Sequence, residues 1–203
     1  MTGKRKSAVK QSRALGIPLT PKAARVMDRR PGQRPGQHGR ARVRMSDYRA
    51  RLLEKQRLRA QYGVDERQLR AVAARAARRP GRTGDVLLAD LETRLDALVL
   101  RAGFARTVRQ ARQTVSHGHV RVDGGKVDRP SYRVRPGQVI EIAERSRAAA
   151  PFQAAAAGAY VEGHPPYLEV DQERLRARLE RPPRRDEIPV VCDETKVVEF
   201  YAR

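Results

Sequence analysis

At 203 residues with 39% apolar side chains, the chain is long enough to bury one or two hydrophobic cores. Its 44 Lys and Arg against 23 Asp and Glu leave a formal net charge of +21, a self-repulsion that favours a polyanionic partner over a membrane or an acidic small substrate. No run reaches the ~18 apolar residues of a spanning helix and no apolar run follows the basic N-terminus, so the cytoplasm is the default expectation, while the lone Cys192 excludes an internal disulfide and says little about compartment.

The charge is concentrated early, with 18 basic and 3 acidic side chains in residues 1 to 60. Residues 1 to 45 read as a basic extension with little core of its own. The segment DRRPGQRPGQHGRARVR, 28 to 44, is rich in Pro, Gly and Arg and is expected to be largely disordered unless RNA supplies counter-charge. Arg40, Arg42 and Arg44 on this arm are candidate RNA contacts.

Ser46 caps a predicted helix that runs to about Tyr62 and ends at Gly63. Tyr48, Leu52, Leu58 and Tyr62 share one side with Arg51, Lys55 and Arg59, so apolar and basic groups interleave. Tyr48 and Tyr62 fit core positions more simply than base stacking. Tyr48 nevertheless joins Arg51, Lys55 and Arg59 in the candidate set. A second helix opens near Asp65, buries Leu69, Val72, Ala73 and Ala76, and closes at Pro80-Gly81. GRTGD, 81 to 85, reads as a linker before an amphipathic helix over residues 90 to 102, with Leu91, Leu95, Leu98 and Val99 inward.

The next helix, about Thr107 to His117, turns Phe104, Val108, Ala111 and Val115 inward and Arg106, Arg109, Arg112, Gln113 and Ser116 outward. The period then changes to two. HVRV alternates, Asp123-Gly124 marks a hairpin turn, and SYRV (131 to 134), QVIEIAE (138 to 144) and YLEVD (167 to 171) read as further strands. Residues 145 to 166 read as loop with some helix, 172 to 181 as a short basic helix, and VVEFYAR as a segment that docks on the body.

SHGHVRVDGGKV, 116 to 127, poses a choice between a metal site and the junction of a helix with a hairpin. A zinc site takes three or four ligands, whereas His38 and His164 lie far off in sequence and no Cys-x-x-Cys exists. The economical reading closes the helix with His117, supplies the left-handed residue with Gly118 and opens the strand with His119. No metal or cofactor is therefore expected. From Ala97 to Val122 there is no acid, but Arg101, Arg106, Arg109, Arg112 and Arg121 are present. A solvated charged face is the bland account. A positive surface continuous over helix and strand, suited to phosphates, is favoured because the interval spans several elements. Gln113, His117, His119, Tyr132 and Arg133 complete the candidates. Nine aromatics without Trp argue for recognition of shape and backbone over base stacking. No phosphate loop or Gly-x-Ser-x-Gly is present, and Asp85, Asp90, Glu92 and Asp96 are accounted for by caps and ion pairs, so the chain does not read as an enzyme.

RLDALVLRAGF (94 to 104), RQARQTVSHGHVRVDG (109 to 124) and the run VDRPSYRVRPG from 127 to 137 closely resemble the RNA-binding module named after small-subunit ribosomal protein S-four, over about residues 93 to 153. PGQHG (35 to 39), SDYRARLLEKQRLRAQYG (46 to 63), GRTGD and the closing VVEFYAR resemble the bacterial ribosomal protein family itself, in the family's order over nearly the whole chain. The resemblance implies an α+β fold: a mostly helical domain, 46 to 89 completed by about 172 to 203, an α/β domain over 90 to 171 that contains the module, and the basic extension. It implies a primary rRNA binder that attaches to the 5′ domain of small-subunit rRNA, nucleates assembly of the subunit body and contributes to translational accuracy. Implied partners are ribosomal protein S-five, other small-subunit proteins and mRNA near the entry channel, with no membrane. The chain lacks the zinc-binding cysteine cluster that many members carry in their first forty residues and resembles the zinc-free form. Val108 stands where the family often has an arginine, and Arg106 brings charge two residues earlier. A module-bearing RNA-modifying enzyme would need a catalytic domain that is not visible here, and stress factors built on the module lack the PGQHG and SDY segments.

Overall fold

The computed structural model describes residues 7–41, 44–161 and 163–202. The chain forms two compact units, one from residues up to Glu66 together with Val190 onward, the other from Arg67 to Pro189. The sequence places divisions near 45, 89 and 171; the compact units divide after Glu66 and after Pro189, because the helices over 67–92 pack with the second unit.

In the first unit, the stretch read as an extension with little core of its own contains helices with buried residues. Residues 8–29 form two helices, α1 (Ala8–Leu15) and α2 (Pro21–Arg29), and Leu15, Ile17 and Ala23 are buried. Gly16 ends α1 in the left-handed conformation (φ 70°), and the Thr20 hydroxyl accepts the Ala23 N–H at 3.2 Å ahead of a proline that suits the first turn. Three apolar residues suffice because arginines satisfy the backbone around them. Arg57 donates to the Leu15 carbonyl at 2.8 Å, and Arg13 donates to the carbonyls of Gln33 and Arg34, both at 3.0 Å. In the PGQHG turn, a Cβ on Gly39 would lie 2.0 Å from the Arg34 carbonyl oxygen, so only glycine fits there.

α3 (Asp47–Tyr62) starts where the Ser46 hydroxyl accepts the Arg49 N–H at 3.3 Å and stops at Gly63 (φ 61°). The C-terminal α10 (Glu194–Tyr201) packs along it. Gln61 exchanges two 3.0 Å hydrogen bonds with the Val191 backbone, and Glu54 accepts the Asp193 N–H at 3.0 Å.

The second unit opens at Arg67 within α4 (Glu66–Ala76), whose buried side is Leu69, Val72, Ala73 and Ala76 as the sequence pattern predicts. The predicted linker and single helix are replaced by α5 (Thr83–Glu92) and α6 (Leu95–Arg101), with a break at Thr93-Arg94. SYRV does not join the sheet but docks at this break. The Leu95 N–H donates to Tyr132 at 2.8 Å, the Val134 N–H to Thr93 at 2.9 Å, and Arg94 and Arg133 form an isolated antiparallel bridge. The sheet is antiparallel with order β2-β1-β3-β5-β4, from β1 (Val120–Val122), β2 (Gly125–Lys126), β3 (Val139–Ile142), β4 (Leu168–Asp171) and β5 (Arg176–Leu179). The basic helix expected over 172 to 181 is instead β5, in which exposed Arg176 and Arg178 alternate with buried Ala177 and Leu179. Short helices α8 (Glu144–Arg147) and α9 (Ala150–Ala156) fill the 145–166 region. One core joins α6, α7 (Val108–Ser116), the sheet and α9 through Leu98, Val99, Phe104, Val115, Ile140, Phe152 and Tyr167. These elements satisfy the α+β expectation. No helix among the described residues is long and apolar enough to cross a membrane.

Candidate nucleic-acid interface

α7 is built to face two environments. The Thr107 hydroxyl accepts the Gln110 N–H at 3.2 Å to start it. Ala111, Thr114 and Val115 are buried, while Arg106, Arg109, Gln113, Ser116 and His117 are exposed. Arg112 sits between the two environments, 3.4 Å from Asp96, whose two oxygens are already held by Arg94 at 2.9 and 2.8 Å.

His117 caps α7, and Gly118 (φ 71°) turns the chain into β1. The Lys126 side chain crosses this glycine so closely that a Cβ there would come within 2.4 Å of its Cε. Asp123 (φ 49°) and Gly124 (φ 78°) are both left-handed, as a two-residue type I′ turn requires, which sets Arg121 opposite Lys126. Lys126, which is not among the sequence candidates, is thereby placed beside the end of α7. The signal was present, since an Asp-Gly turn fixes that pairing. Arg121 also donates to the Gly124 carbonyl at 3.0 Å.

The two histidines part company. His117 is exposed, whereas His119 is half-buried, with Nδ1 2.9 Å from the Ser146 hydroxyl and its ring 5.6 Å from that of Phe152. Burial, then the charges of His117 and Arg145, push the His119 imidazole below its usual pKa, which favours the neutral ring. Among the described residues no three His, Cys, Asp or Glu side chains group as a metal site.

The remaining candidates divide the same way. Tyr132 is half-buried against the core, within 3.4 Å of Gln138, and Arg133 is tied to Asp90 at 2.8 Å. Arg101, inside the acid-free run, binds the fully buried Glu92 at 2.5 Å, and Tyr167 donates to the same carboxylate at 2.7 Å. In the first unit, Arg40 and Arg44 are exposed, Tyr48 is 63% exposed beside Phe200, and Arg42 lies outside the described residues. Arg51 pairs with Glu199 at 2.6 Å, and Arg59 with Glu66 at 3.2 Å. Lys55 is a correction to the candidate set. Only 5% exposed, it pairs with Glu66 at 2.9 Å and lies 4.0 Å over the Phe200 ring, so it fastens α10 to α3. Burial pushes the Glu66 carboxyl up, but hydrogen bonds from Lys55 and Tyr201 and the charges of Lys55 and Arg59 together outweigh it and hold the group below its ordinary value.

Residues 4–92 match the family model described as the ribosomal protein S4/S9 N-terminal domain, and residues 93–140 match the S4 domain. The chain is 56% identical to small ribosomal subunit protein uS4 of Streptomyces griseus, with all of both chains covered. It is 57% identical to the uS4 of Beutenbergia cavernae over 100% of this chain and 99% of that one, and 60% identical to the uS4 of Paenarthrobacter aurescens over 95% and 94%. The chain belongs to the uS4 family. The family's S4 domain runs from the Thr93-Arg94 break to Ile140 in β3, so it contains α6, α7 and the β1–β2 hairpin with their exposed cations. Membership in a ribosomal protein family makes the chain a structural, non-enzymatic component.

Proposed function

We propose that the α7 and β1–β2 surface grips the phosphate backbone of small-subunit rRNA, and that the protein is a primary binder of the 5′ domain. One observation carries this reading. Arg106, Arg109, Gln113, His117, Arg121 and Lys126, from the start of α7, the helix, its cap and the hairpin, are all exposed, and all but Lys126 fall in the interval from Ala97 to Val122 that holds no acid. The protein is an rRNA-binding component of the small subunit of the cytoplasmic ribosome and acts in translation. Arg40, Arg42, Arg44 and Tyr48 would hold a further part of the RNA. By holding a folded junction, it would nucleate assembly of the subunit body. Contacts with ribosomal protein S-five and with mRNA near the entry channel, and an influence on accuracy, follow from the family resemblance.

Equilibrium binding to the 5′ domain of small-subunit rRNA across a salt series, against an equally long folded but unrelated RNA, tests the reading. A preference for the rRNA that persists at high salt is expected. Equal binding to both RNAs, lost together as salt rises, would reduce the protein to a non-specific polycation.

A further inference from the structure

We propose a second RNA-backbone site in which Arg75, Arg79 and Arg133, gathered around the single carboxylate of Asp90, take phosphates; this rests on the RNA-binding reading above and extends it beyond α7.

Asp90 sits on α5 with its side chain only 8% exposed, and its two oxygens are taken separately, one by Arg79 at 2.9 Å and the other by Arg133 at 2.8 Å. Arg75, one turn before Arg79, is close enough for its charge to act on both Asp90 and Arg133. Burial, then the repulsion of Arg133, pull its guanidinium below the ordinary value, while Asp90 pulls the other way. The carboxylate thus lies at the floor and the arginines at the rim, with Arg79 and Arg133 exposed by 57% and 39%.

The charge balance decides between a structural ion pair and a binding site. One guanidinium neutralises one carboxylate. Three around one carboxylate leave two positive charges whose mutual repulsion costs stability unless an anion arrives. A guanidinium has five N–H donors in a fixed fork, and Arg79 and Arg133 each give one to Asp90. Asp90 therefore orders the cluster without neutralising it, which lowers the entropy lost when phosphate binds.

The occupant follows from what the cluster is joined to. The backbone bridge between Arg133 and Arg94, the bidentate hold of Arg94 on Asp96, and the contact of Arg112 with Asp96 form an unbroken chain to α7. Buried Arg94 carries this link, while Arg75, Arg79, Arg133 and Arg112 reach the surface and make a positive track with several anchor points. A free phosphate would fill one of them. A nucleic-acid backbone, with regularly spaced phosphates, can follow the track.

The test uses the full chain, the rRNA 5′ domain and a salt series, with hydroxyl-radical footprinting of the RNA backbone. Arg75→Ala with Arg79→Ala should flatten the log–log salt slope by about 1.4–1.8 and weaken binding about 25- to 60-fold near 0.1 M salt. The nucleotides that lose protection should differ from those lost with Arg109→Ala and Arg112→Ala. Arg75→Lys with Arg79→Lys should retain most of the slope, since charge is kept. An unchanged slope in the Ala pair, with melting intact, overturns the proposal, as does a Lys pair as defective as the Ala pair. If the wild-type chain shows no preference for the 5′ domain while the Ala pair still flattens the slope, the phosphate site stands and the preceding assignment falls.

Discussion

α3 and α7 look alike as sequence, since both are helices studded with cations, yet the fold uses those cations in opposite ways. On α3, Lys55 and Arg59 reach Glu66, Arg57 reaches Glu54, and Arg51 reaches Glu199 on α10, 148 residues away. On α7 and its hairpin, Arg106, Arg109 and Arg121 are exposed in an interval without acids. The availability of a cation is thus decided by the carboxylates that tertiary structure delivers to it.

The largest effect is expected where that contrast is sharpest inside the core. Glu92→Ala leaves Arg101 and the Tyr167 hydroxyl without their shared carboxylate, a loss of about 3–5 kcal/mol in urea unfolding. A loss under 1 kcal/mol would mean that Arg101 escapes to solvent and belongs with the outward set. Next, Arg109→Ala with Arg112→Ala should weaken rRNA binding by about 2 kcal/mol near 0.1 M salt and flatten the slope by about 1.4–1.8. Stability should stay within about 0.5 kcal/mol, because Asp96 keeps both oxygens on Arg94. An unchanged slope would return α7 to the status of a solvated face.

Smaller still, Glu66→Gln leaves the Lys55 charge buried and should cost about 1–2 kcal/mol, discounted because Glu66 is partly exposed. The RNA salt slope should not change, and a flatter one would put Lys55 back at the RNA. The pH dependence has a defined sign. The folded Glu66 carboxyl lies below its ordinary value, so its contribution is present above the unfolded carboxyl's pKa and disappears as pH falls through the folded one. Hydrogen exchange of the α10 amides should accelerate in that acidic window and not on raising pH from 5 to 7, after correction for intrinsic exchange.

Local chemistry made much of the fold readable. Ser46 and Gly63 bound α3, Thr107 and His117 bound α7, and Asp123-Gly124 sets the hairpin register, because each acts within a few residues of itself. The misreadings have non-local causes. The break at Thr93-Arg94 exists because residues 130–134 dock there and Arg94 turns back on Asp96. β5 was ambiguous because Leu175 and Leu179 satisfy a helical spacing while Ala177 and Leu179 satisfy a strand. The ordering of residues 8–29 depends on Arg13 and Arg57, polar residues that a count of apolar ones does not register. For the candidate interface, the cluster on α7 was visible as an acid-free interval. The burial of Lys55 was not, since its partners lie on α4 and α10.

The clasp of α10 on α3 also sets an order of events during synthesis. The Arg67–Pro189 unit is continuous in sequence and can close as soon as its last strand has emerged, whereas the unit containing α3 needs residues beyond Val190. At about 5–20 residues per second, α3 waits roughly 7–28 s for its partner. During that interval Arg51 and Lys55 have no access to Glu199 and Phe200, so the nascent chain presents more uncommitted positive charge than the finished protein does. α10 therefore acts as the lock that retires those charges from solution.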